Sequence, residues 1–299
     1  MLSYFLVKGV MKISLLEPHG YCSGVSRAIT MSLEIKNKHP KQDVYVLGML
    51  VHNEDVVQFL KEKNIISLYE KGKSLEELLL LVPENQVVIF TAHGHPVNLD
   101  EIAKKRNLII YDAICPKVQF SQNIIKQEIA NHHQVIFIGY KNHPETEGCL
   151  SLDKDVILYD LGHEFHFDKI TDESPLVINQ TTLNFLELKE VHDLILSYFP
   201  KARIANEMCP TTRRRQEALS TINDEEAIIV IGDPKSSNTS RLYELAKTLH
   251  PDLDVIKVAN KDELPLDLLR NKKSVAISTG ASTPDFITNT IIDILKDLN

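Results

Sequence analysis

The chain has 299 residues, of which 43% are apolar and 25% charged, a composition typical of a globular protein with a large core. The formal net charge of −8 argues against nucleic acid as a partner, because binding to a phosphate backbone needs clustered Lys and Arg. Apolar runs such as residues 78–82 fall far short of the ~20 residues of a membrane span, so no membrane partner is expected. Four cysteines are too few for a disulfide scaffold, which indicates a reducing compartment and a cytoplasmic protein.

The N-terminus is mildly apolar but has no small-residue cleavage site after its short apolar stretch. Met11 directly precedes a strand-like segment. We therefore interpret residues 1–10 as a short extension or a product of start-site choice.

Three cysteines recur at nearly equal spacing along the chain. Cys22 and Cys115 are 93 residues apart, Cys115 and Cys209 are 94 apart, and 91 positions run from Cys209 to the last residue. A strand-like segment precedes each cysteine, at residues 12–16, 108–111 and 203–205. The helical patterns that follow the cysteines begin at about Val25, Val118 and Thr211.

Two further elements repeat in the same register. A β-branched run with a glycine leads to a polar cluster at His52, His143 and Ser236, which lie 30, 28 and 27 residues beyond their cysteines. A second apolar strand ends at His93, Thr181 and Ser282, at offsets of 71, 66 and 73 residues. Apolar strands that alternate with amphipathic helices predict mostly parallel sheets.

This repetition predicts an α/β fold of three similar modules with mostly parallel sheets, each presenting the carboxyl ends of its strands to one shared centre. The first module spans residues 23–115, the second 116–208 and the third 209–299, the last completed by an N-terminal strand within residues 11–22. The alternative is a single large doubly wound sheet with incidental spacing.

The carboxyl ends of parallel strands meet at one edge, where ligands bind, so the repeated polar residues are expected to share a centre. Three thiolates with no fourth equivalent suit an iron–sulfur cluster or zinc with one open position. Cys149 has no counterpart in the other modules and is assigned to packing. The proposed donors to an anion are His52, His93, His143, Thr181, Ser236, Ser237, Asn238 and Ser282. The plainer alternative for residues 236–238 is N-capping of a helix that starts near Thr239.

Glu145 is the one carboxylate close to these donors, in the stretch HPETEG. A shielded pocket would raise its pKa and make it a general acid, whereas the alternative is a surface carboxylate. Glu147 is expected to face solvent. The arginine run at residues 213–215 is expected to be mostly solvated or paired with acids such as Glu217, with one member facing an acidic electron donor.

The chain resembles the 4-hydroxy-3-methylbut-2-enyl diphosphate reductases of the non-mevalonate isoprenoid pathway. The matching stretches are PHGYCSGVSRAI, VHN, TAHGHP, DAICPKV, NHPETEG, NQTTLN, MCPTTRRRQ, KSSNTSRL and GASTPD. They cover nearly the whole chain. The family usually has Arg in place of His19, a small or β-branched residue in place of Cys149, and Thr in place of Ile114.

The resemblance implies that the three modules form a pseudo-threefold trefoil around a central metal cluster. This would be a [4Fe–4S] cluster on Cys22, Cys115 and Cys209, which oxygen can degrade to [3Fe–4S] or remove. It implies that the substrate hydroxyl binds the open iron and that Glu145, with Thr181 as its partner, donates a proton. The diphosphate would meet the anion donors named above, and the products would be isopentenyl and dimethylallyl diphosphate.

No G-x-G-x-x-G fingerprint follows a strand, so the two electrons are expected from a protein donor of the ferredoxin or flavodoxin type. Two alternatives stay open. One is a zinc-dependent phosphohydrolase with three Cys and one His ligand, and the other is a non-catalytic iron–sulfur binding protein.

Overall fold

The structure is a computed structural model that describes residues 3–5, 11–205 and 208–298. These residues form thirteen strands and eleven α-helices. The strands are β1 Ser3–Phe5, β2 Lys12–Leu15, β3 Val44–Leu47, β4 Ile65–Leu68, β5 Val87–Phe90, β6 Ile109–Asp112, β7 Val135–Gly139, β8 Val156–Asp160, β9 Leu176–Asn179, β10 Arg203–Ile204, β11 Ala227–Ile231, β12 Asp254–Val258 and β13 Ser274–Thr279. The helices are α1 Ser23–Lys38, α2 Glu54–Glu62, α3 Leu75–Leu80, α4 Asn98–Lys105, α5 Pro116–Ala130, α6 Pro144–Leu150, α7 Phe185–Tyr198, α8 Pro210–Leu219, α9 Ser237–Leu249, α10 Leu266–Leu269 and α11 Asp285–Lys296.

The described strands pair in three separate sheets that share one order. The sheets run β4-β3-β5-β6, β8-β7-β9-β10 and β12-β11-β13-β2-β1. Every pair is parallel except β1 with β2. In each sheet the strand that precedes a cysteine takes the fourth position in the order. These strands are β6, β10 and β2.

The prediction of three α/β modules with mostly parallel sheets is therefore confirmed, and the alternative of one large sheet is wrong. The strand β2 completes the third sheet through parallel pairing with β13. As compact units the chain divides in two, with Met1–Ser23 and Cys209–Asn299 in unit 1 and Gly24–Met208 in unit 2. Unit 1 holds one of the three sheets and unit 2 holds the other two. The exact module boundaries stay predictions.

The central strands are continuous apolar runs because both of their faces are covered. Every residue of β5, β7, β9, β11 and β13 is buried. Their Val and Ile side chains suit a pleated surface packed on both sides, which is the usual environment of a parallel sheet. The edge strands β8 and β12 are only half-buried along most of their length.

The helices that follow Cys115 and Cys209 begin one or two residues earlier than their patterns predict. Cys115 and Cys209 are themselves the N-cap residues of α5 and α8, and a proline occupies the first helical position of each. Proline suits that position because its missing N–H would have no partner in the first turn. The patterns therefore locate these helices correctly but not their starts.

Strand β1 was not expected from the sequence. It pairs antiparallel with β2, and the other residues of 1–10 lie outside the described part of the chain. Among the described helices, none combines the length and apolar character that crossing a membrane requires.

Gly20, two residues before Cys22, has φ +68°, and a Cβ atom there would overlap the carboxylate of Asp285. We predict that Gly20→Ala destabilises the protein by about 2 kcal/mol, because backbone strain adds to the displacement of the exposed Asp285 side chain from its contact with His19. Gly72 is the matched control, since its φ is +92° but no atom lies within 4 Å of an added Cβ. Gly72→Ala should cost about 1 kcal/mol. Thermal unfolding checks the order, and equal shifts for both variants would contradict it.

Candidate active site

Three histidines predicted from the repeat lie together in unit 2. The rings of His52 and His93 stack with centroids 4.4 Å apart. The His143 ring lies 6.0 Å from that of His52 and 5.7 Å from that of His93. One ring nitrogen from each histidine lies within 4.8 Å of the others. Such a cluster can surround one oxygen-rich anion, and it can equally ligate one divalent transition metal.

His93 and His143 are electrically neutral near pH 7. Burial lowers the pKa of His93 well below its ordinary value of 6.5, and the neighbouring His52 and His143 lower it further. Burial and the nearby His52 lower the pKa of His143 to about 3. A cation is disfavoured in a desolvated place beside other cations, so these two rings offer neutral donors and acceptors.

His143 is the N-cap residue of α6, and its Nδ1 accepts a hydrogen bond from the Glu145 N–H at 3.3 Å. Its proton is therefore assigned to Nε2. The Nε2 atoms of His143 and His93 are both buried and have no hydrogen-bond partner among the described residues. Buried polar atoms are normally paired, so these two point to a polar ligand.

Glu145 follows two residues after His143 and is 1% exposed. Its carboxyl accepts two hydrogen bonds from one residue, the Thr181 N–H at 2.8 Å and the Thr181 Oγ1 at 2.9 Å. Thr181 follows β9, so the repeat brings the ends of two neighbouring strands together at this carboxyl. The alternative of a surface carboxylate is wrong.

Burial raises the pKa of Glu145 to about 7, and the two hydrogen bonds from Thr181 oppose this rise. Desolvation outweighs the hydrogen bonds because no cation pairs with the carboxyl. A carboxyl with a pKa of about 7 is poised to give up a proton near neutral pH.

Cys115 lies in unit 2 at the start of α5, where the helix N-terminus favours negative charge. Its N–H donates to the Ala92 carbonyl at 2.9 Å, directly before His93. Arg27 on α1 donates to the carbonyls of Ala113 at 3.4 Å and Ile114 at 2.9 Å, which are the two residues before the cysteine. Hydrogen bonds to the backbone of Cys115 and of the two residues before it thus fix the position of the cysteine.

Unit 1 repeats this arrangement around Cys22. Its N–H donates to the Ala281 carbonyl at 3.0 Å, directly before Ser282. The Ala281 N–H in turn donates to Asn238 Oδ1 at 2.9 Å, and Asn238 Nδ2 donates to Thr212 Oγ1 at 3.4 Å. Asn238, predicted as a ligand-binding residue, therefore also orders the backbone around Cys22.

Three serines of unit 1 complete the predicted set. Ser236 is the N-cap of α9 and accepts from the Thr239 N–H at 3.3 Å, so the capping alternative is correct for this residue. The helix begins at Ser237, two residues before the predicted Thr239. Ser236 and Ser282 are buried, and Ser237 is half-buried.

Arg215 is a residue of this region that the sequence did not reveal. Of the run at residues 213–215, the first two are exposed and Arg215 is 1% exposed. The expectation that most of the run is solvated is therefore correct, and Arg215 is the member that is not. Helical geometry indicated that the three cannot share a face, but it could not tell which one turns inward.

Two other expectations are settled by the structure. Glu147 is half-buried and accepts from the Asn142 N–H at 2.9 Å, so it faces solvent only in part. Cys149 is fully buried among the apolar side chains of the β7 sheet, as assigned. Burial and the nearby Glu145 raise the pKa of its thiol well above the ordinary value.

Comparison with known proteins extends over almost the whole chain. The LytB protein family matches residues 13–296. The 4-hydroxy-3-methylbut-2-enyl diphosphate reductase of Brevibacillus brevis is 34% identical over 292 residues, which are 97% of this chain and 93% of the relative. The enzyme of the same name from Bacillus cereus is 35% identical and matches 97% of this chain and 91% of its own length.

Two solved structures agree with the fold. The E-1-hydroxy-2-methyl-but-2-enyl-4-diphosphate reductase of Plasmodium falciparum superposes with a TM-score of 0.84 at 27% identity, covering 95% of this chain and 88% of that one. A structure of (E)-4-hydroxy-3-methyl-but-2-enyl diphosphate reductase superposes with a TM-score of 0.65 at 31% identity, covering 95% and 99%.

The repeated sheets, each followed by a cysteine, and the buried polar groups at their strand ends define a three-module α/β enzyme rather than a binding scaffold. The chain belongs to the LytB family, and it is an oxidoreductase.

The buried ionisable groups of unit 2 predict how stability depends on pH. Glu145, whose pKa is raised from 4.5 to about 7, contributes stability that is complete below pH 4.5 and is lost as the pH rises through 7. His93 and His143, whose pKa values are lowered, contribute stability that is complete above pH 6.5 and is lost at lower pH. The histidine contributions are common to the wild type and to a variant of Glu145, so the difference in stability between those two proteins reports the Glu145 contribution.

We therefore expect the free energy of unfolding of the wild-type chain, taken relative to that of Glu145→Gln, to fall by about 1 kcal/mol between pH 6.5 and pH 8. Anaerobic urea unfolding of both proteins at the two pH values measures this difference. A difference that stays constant between the two pH values would contradict the raised pKa of Glu145.

Proposed function

We propose that the chain reduces 4-hydroxy-3-methylbut-2-enyl diphosphate to isopentenyl diphosphate and dimethylallyl diphosphate. The reaction consumes two electrons and two protons, breaks the allylic carbon–oxygen bond and releases the hydroxyl as water. The observation that carries the proposal is the buried Glu145 carboxyl, held by Thr181 beside neutral histidines with unpaired Nε2 atoms. The names of the relatives supply the substrate and the reductive chemistry, and the products are those that the family resemblance implies.

A cofactor held by Cys22, Cys115 and Cys209 is the second part of the proposal. All four cysteines lie within the described residues, and none of them forms a disulfide. The three in the repeat are half-buried at the starts of helices, whereas Cys149 is in the core. Neither Cys115 nor Cys209 uses its side chain to cap the helix that follows it.

The surroundings of Cys22 and Cys209 fit a negatively charged group. The buried guanidinium of Arg215 interacts electrostatically with both thiols. It forms no ion pair with a carboxylate within the described part of the chain, and the carboxylates of Asp285 and Glu17 act on it only as neighbouring charges. Buried charges are normally compensated, and thiolates that hold a cluster would provide that compensation. A three-cysteine [4Fe–4S] cluster supplies single electrons and one iron without a protein ligand.

The diphosphate would be held by hydrogen-bond donors rather than by lysines or arginines. In unit 2 these donors are His52, His93 and His143, and in unit 1 they are Ser236, Ser237, Asn238 and Ser282. An anion reverses the electrostatics of the histidine cluster, because it favours the protonated rings that burial disfavours. Binding would therefore draw protons onto the histidines.

Glu145 is the proposed proton donor for departure of the substrate hydroxyl as water. Its pKa of about 7 keeps a large protonated fraction at neutral pH, and a nearby diphosphate would raise that pKa further. Thr181 holds the carboxyl in place with two hydrogen bonds, which limits its rotation. The two electrons would come from a ferredoxin- or flavodoxin-type protein, and the thiols are consistent with a reducing compartment such as the cytoplasm.

The proton-donor role predicts the behaviour of Glu145→Gln. The amide cannot donate an acidic proton, so kcat should fall by about 10²-fold or more, in the usual range for loss of a general acid. The visible absorption of the cluster should be unchanged. Turnover is measured with a reduced dye as electron donor, under anaerobic conditions.

Glu147→Gln is the control, since Glu147 lies on the same helix but accepts its hydrogen bond from the Asn142 N–H rather than from Thr181. It should keep kcat within a few-fold of the wild type. Full activity of Glu145→Gln would remove Glu145 from the role of acid.

The histidine cluster predicts proton uptake when a diphosphate binds. The low pKa of His143, about 3, means that the ring is neutral at pH 7 before binding. Calorimetric titration with inorganic pyrophosphate in two buffers of different ionisation enthalpy should reveal net proton uptake. His143→Asn should reduce the uptake and the affinity, whereas His95→Asn, whose ring stacks on Phe90, should change neither. Binding without proton uptake would contradict the proposed contact.

A further inference from the structure

We propose that Arg215 is a positioning residue that fixes the loop before Cys22 and places a permanent positive charge beside Cys22 and Cys209. Arg27 has the corresponding, weaker role at Cys115. The inference rests on the proposed function in one respect only, namely that these cysteines ligate a cluster. It adds a residue that sets the geometry and the reduction potential of that cluster.

The contacts of Arg215 join three segments of unit 1. Its Nη1 donates to the Thr279 carbonyl at 2.7 Å and to Thr279 Oγ1 at 2.8 Å, and its Nη2 donates to the Gly20 carbonyl at 2.6 Å. Thr279 ends β13, and Arg215 itself lies on the helix that Cys209 caps. One guanidinium therefore ties the helix after Cys209 to the loop before Cys22.

The bound loop has little freedom to move. Gly20 has φ +68°, and its N–H donates to the same Thr279 Oγ1 at 3.1 Å. Hydrogen bonds thus hold both the N–H and the carbonyl of Gly20, two residues before Cys22. A planar fork with several donors suits this task, and a lysine ammonium cannot reproduce it.

Burying the charge of Arg215 costs free energy unless nearby negative groups compensate for it. Burial lowers its pKa to about 10, while Cys22, Asp285, Cys209 and Glu17 oppose the decrease. The side chain still carries its charge near pH 7. Its Nε is buried without a hydrogen-bond partner among the described residues, which leaves one donor uncommitted. Carbonyl contacts alone would not require a cation, and the groups that interact electrostatically with the guanidinium are Cys22 and Cys209 together with the carboxylates of Asp285 and Glu17.

Arg27 shows the same arrangement in unit 2. It lies five residues after Cys22, and Arg215 lies six residues after Cys209. Each arginine extends from a helix that follows one cysteine and donates to carbonyls just before the next cysteine in the repeat, Gly20 before Cys22 and Ile114 before Cys115. Arg27 is exposed, so solvent weakens its electrostatic effect relative to that of Arg215.

The test compares Arg215→Gln, Arg215→Lys, Arg27→Gln and the control Arg213→Gln in the anaerobically purified full-length protein. Arg213 lies on the same helix but is exposed, so its variant should match the wild type. The first readout is the midpoint potential of the cluster in a dye-mediated titration. Arg215→Gln should lower the potential, because loss of a positive charge disfavours the reduced state. Arg215→Lys should restore most of it, and Arg27→Gln should give a smaller decrease.

The second readout is amide hydrogen exchange in the cluster-free chain, which does not depend on the cofactor. Both Arg215→Gln and Arg215→Lys should increase exchange several-fold in peptides covering residues 17–22 and leave peptides around Cys115 unchanged. General destabilisation would instead increase exchange throughout unit 1. Wild-type potential in Arg215→Gln, or exchange unchanged at residues 17–22, would overturn the proposal. A wild-type chain that holds no cluster would contradict the proposed function, and the exchange result would then decide the positioning role alone.

Discussion

The arrangement of the functional groups depends on one constraint, that all strands of a parallel sheet end at the same edge. A polar residue that directly follows such a strand must lie at that edge, whichever residues make up the rest of the chain. The chain uses this constraint three times, with one strand order in three sheets. The strand before each cysteine always takes the same place in that order. The short turns that follow the strands can therefore supply the thiols and the proposed anion donors, while the Val- and Ile-rich strands form the packed core.

Burial gives these turn residues their chemistry. The same desolvation raises the pKa of a carboxyl and lowers that of an imidazole, so Glu145 and His143 are both driven toward their neutral forms. A neutral acid beside neutral donors can receive a highly charged substrate without a cluster of lysines. Arg215 shows the opposite case, a cation kept in the interior by its hydrogen bonds and by nearby thiols.

Much of this arrangement could be predicted from the sequence, because the repeated elements lie at similar offsets from each cysteine. Equal spacing and recurring strand patterns located the sheets, the cysteines and the histidine cluster, whereas the pairing of Glu145 with Thr181 was implied by the family resemblance. What escaped prediction depends on side-chain direction. Three adjacent arginines look alike in a sequence, and only packing shows that Arg215 is the buried one. Similarly, Glu147 could be judged solvent-facing from its spacing, whereas a backbone N–H at Asn142 draws it into the structure.

The most direct test of the account is the iron and acid-labile sulfide content of anaerobically prepared wild-type protein and of its single Cys→Ser variants. The account predicts about four irons and four sulfides per chain. It also predicts a marked loss in each of Cys22→Ser, Cys115→Ser and Cys209→Ser, with none in Cys149→Ser. A chain that carries zinc instead of iron, or a full complement of iron in the three repeat variants, would contradict it.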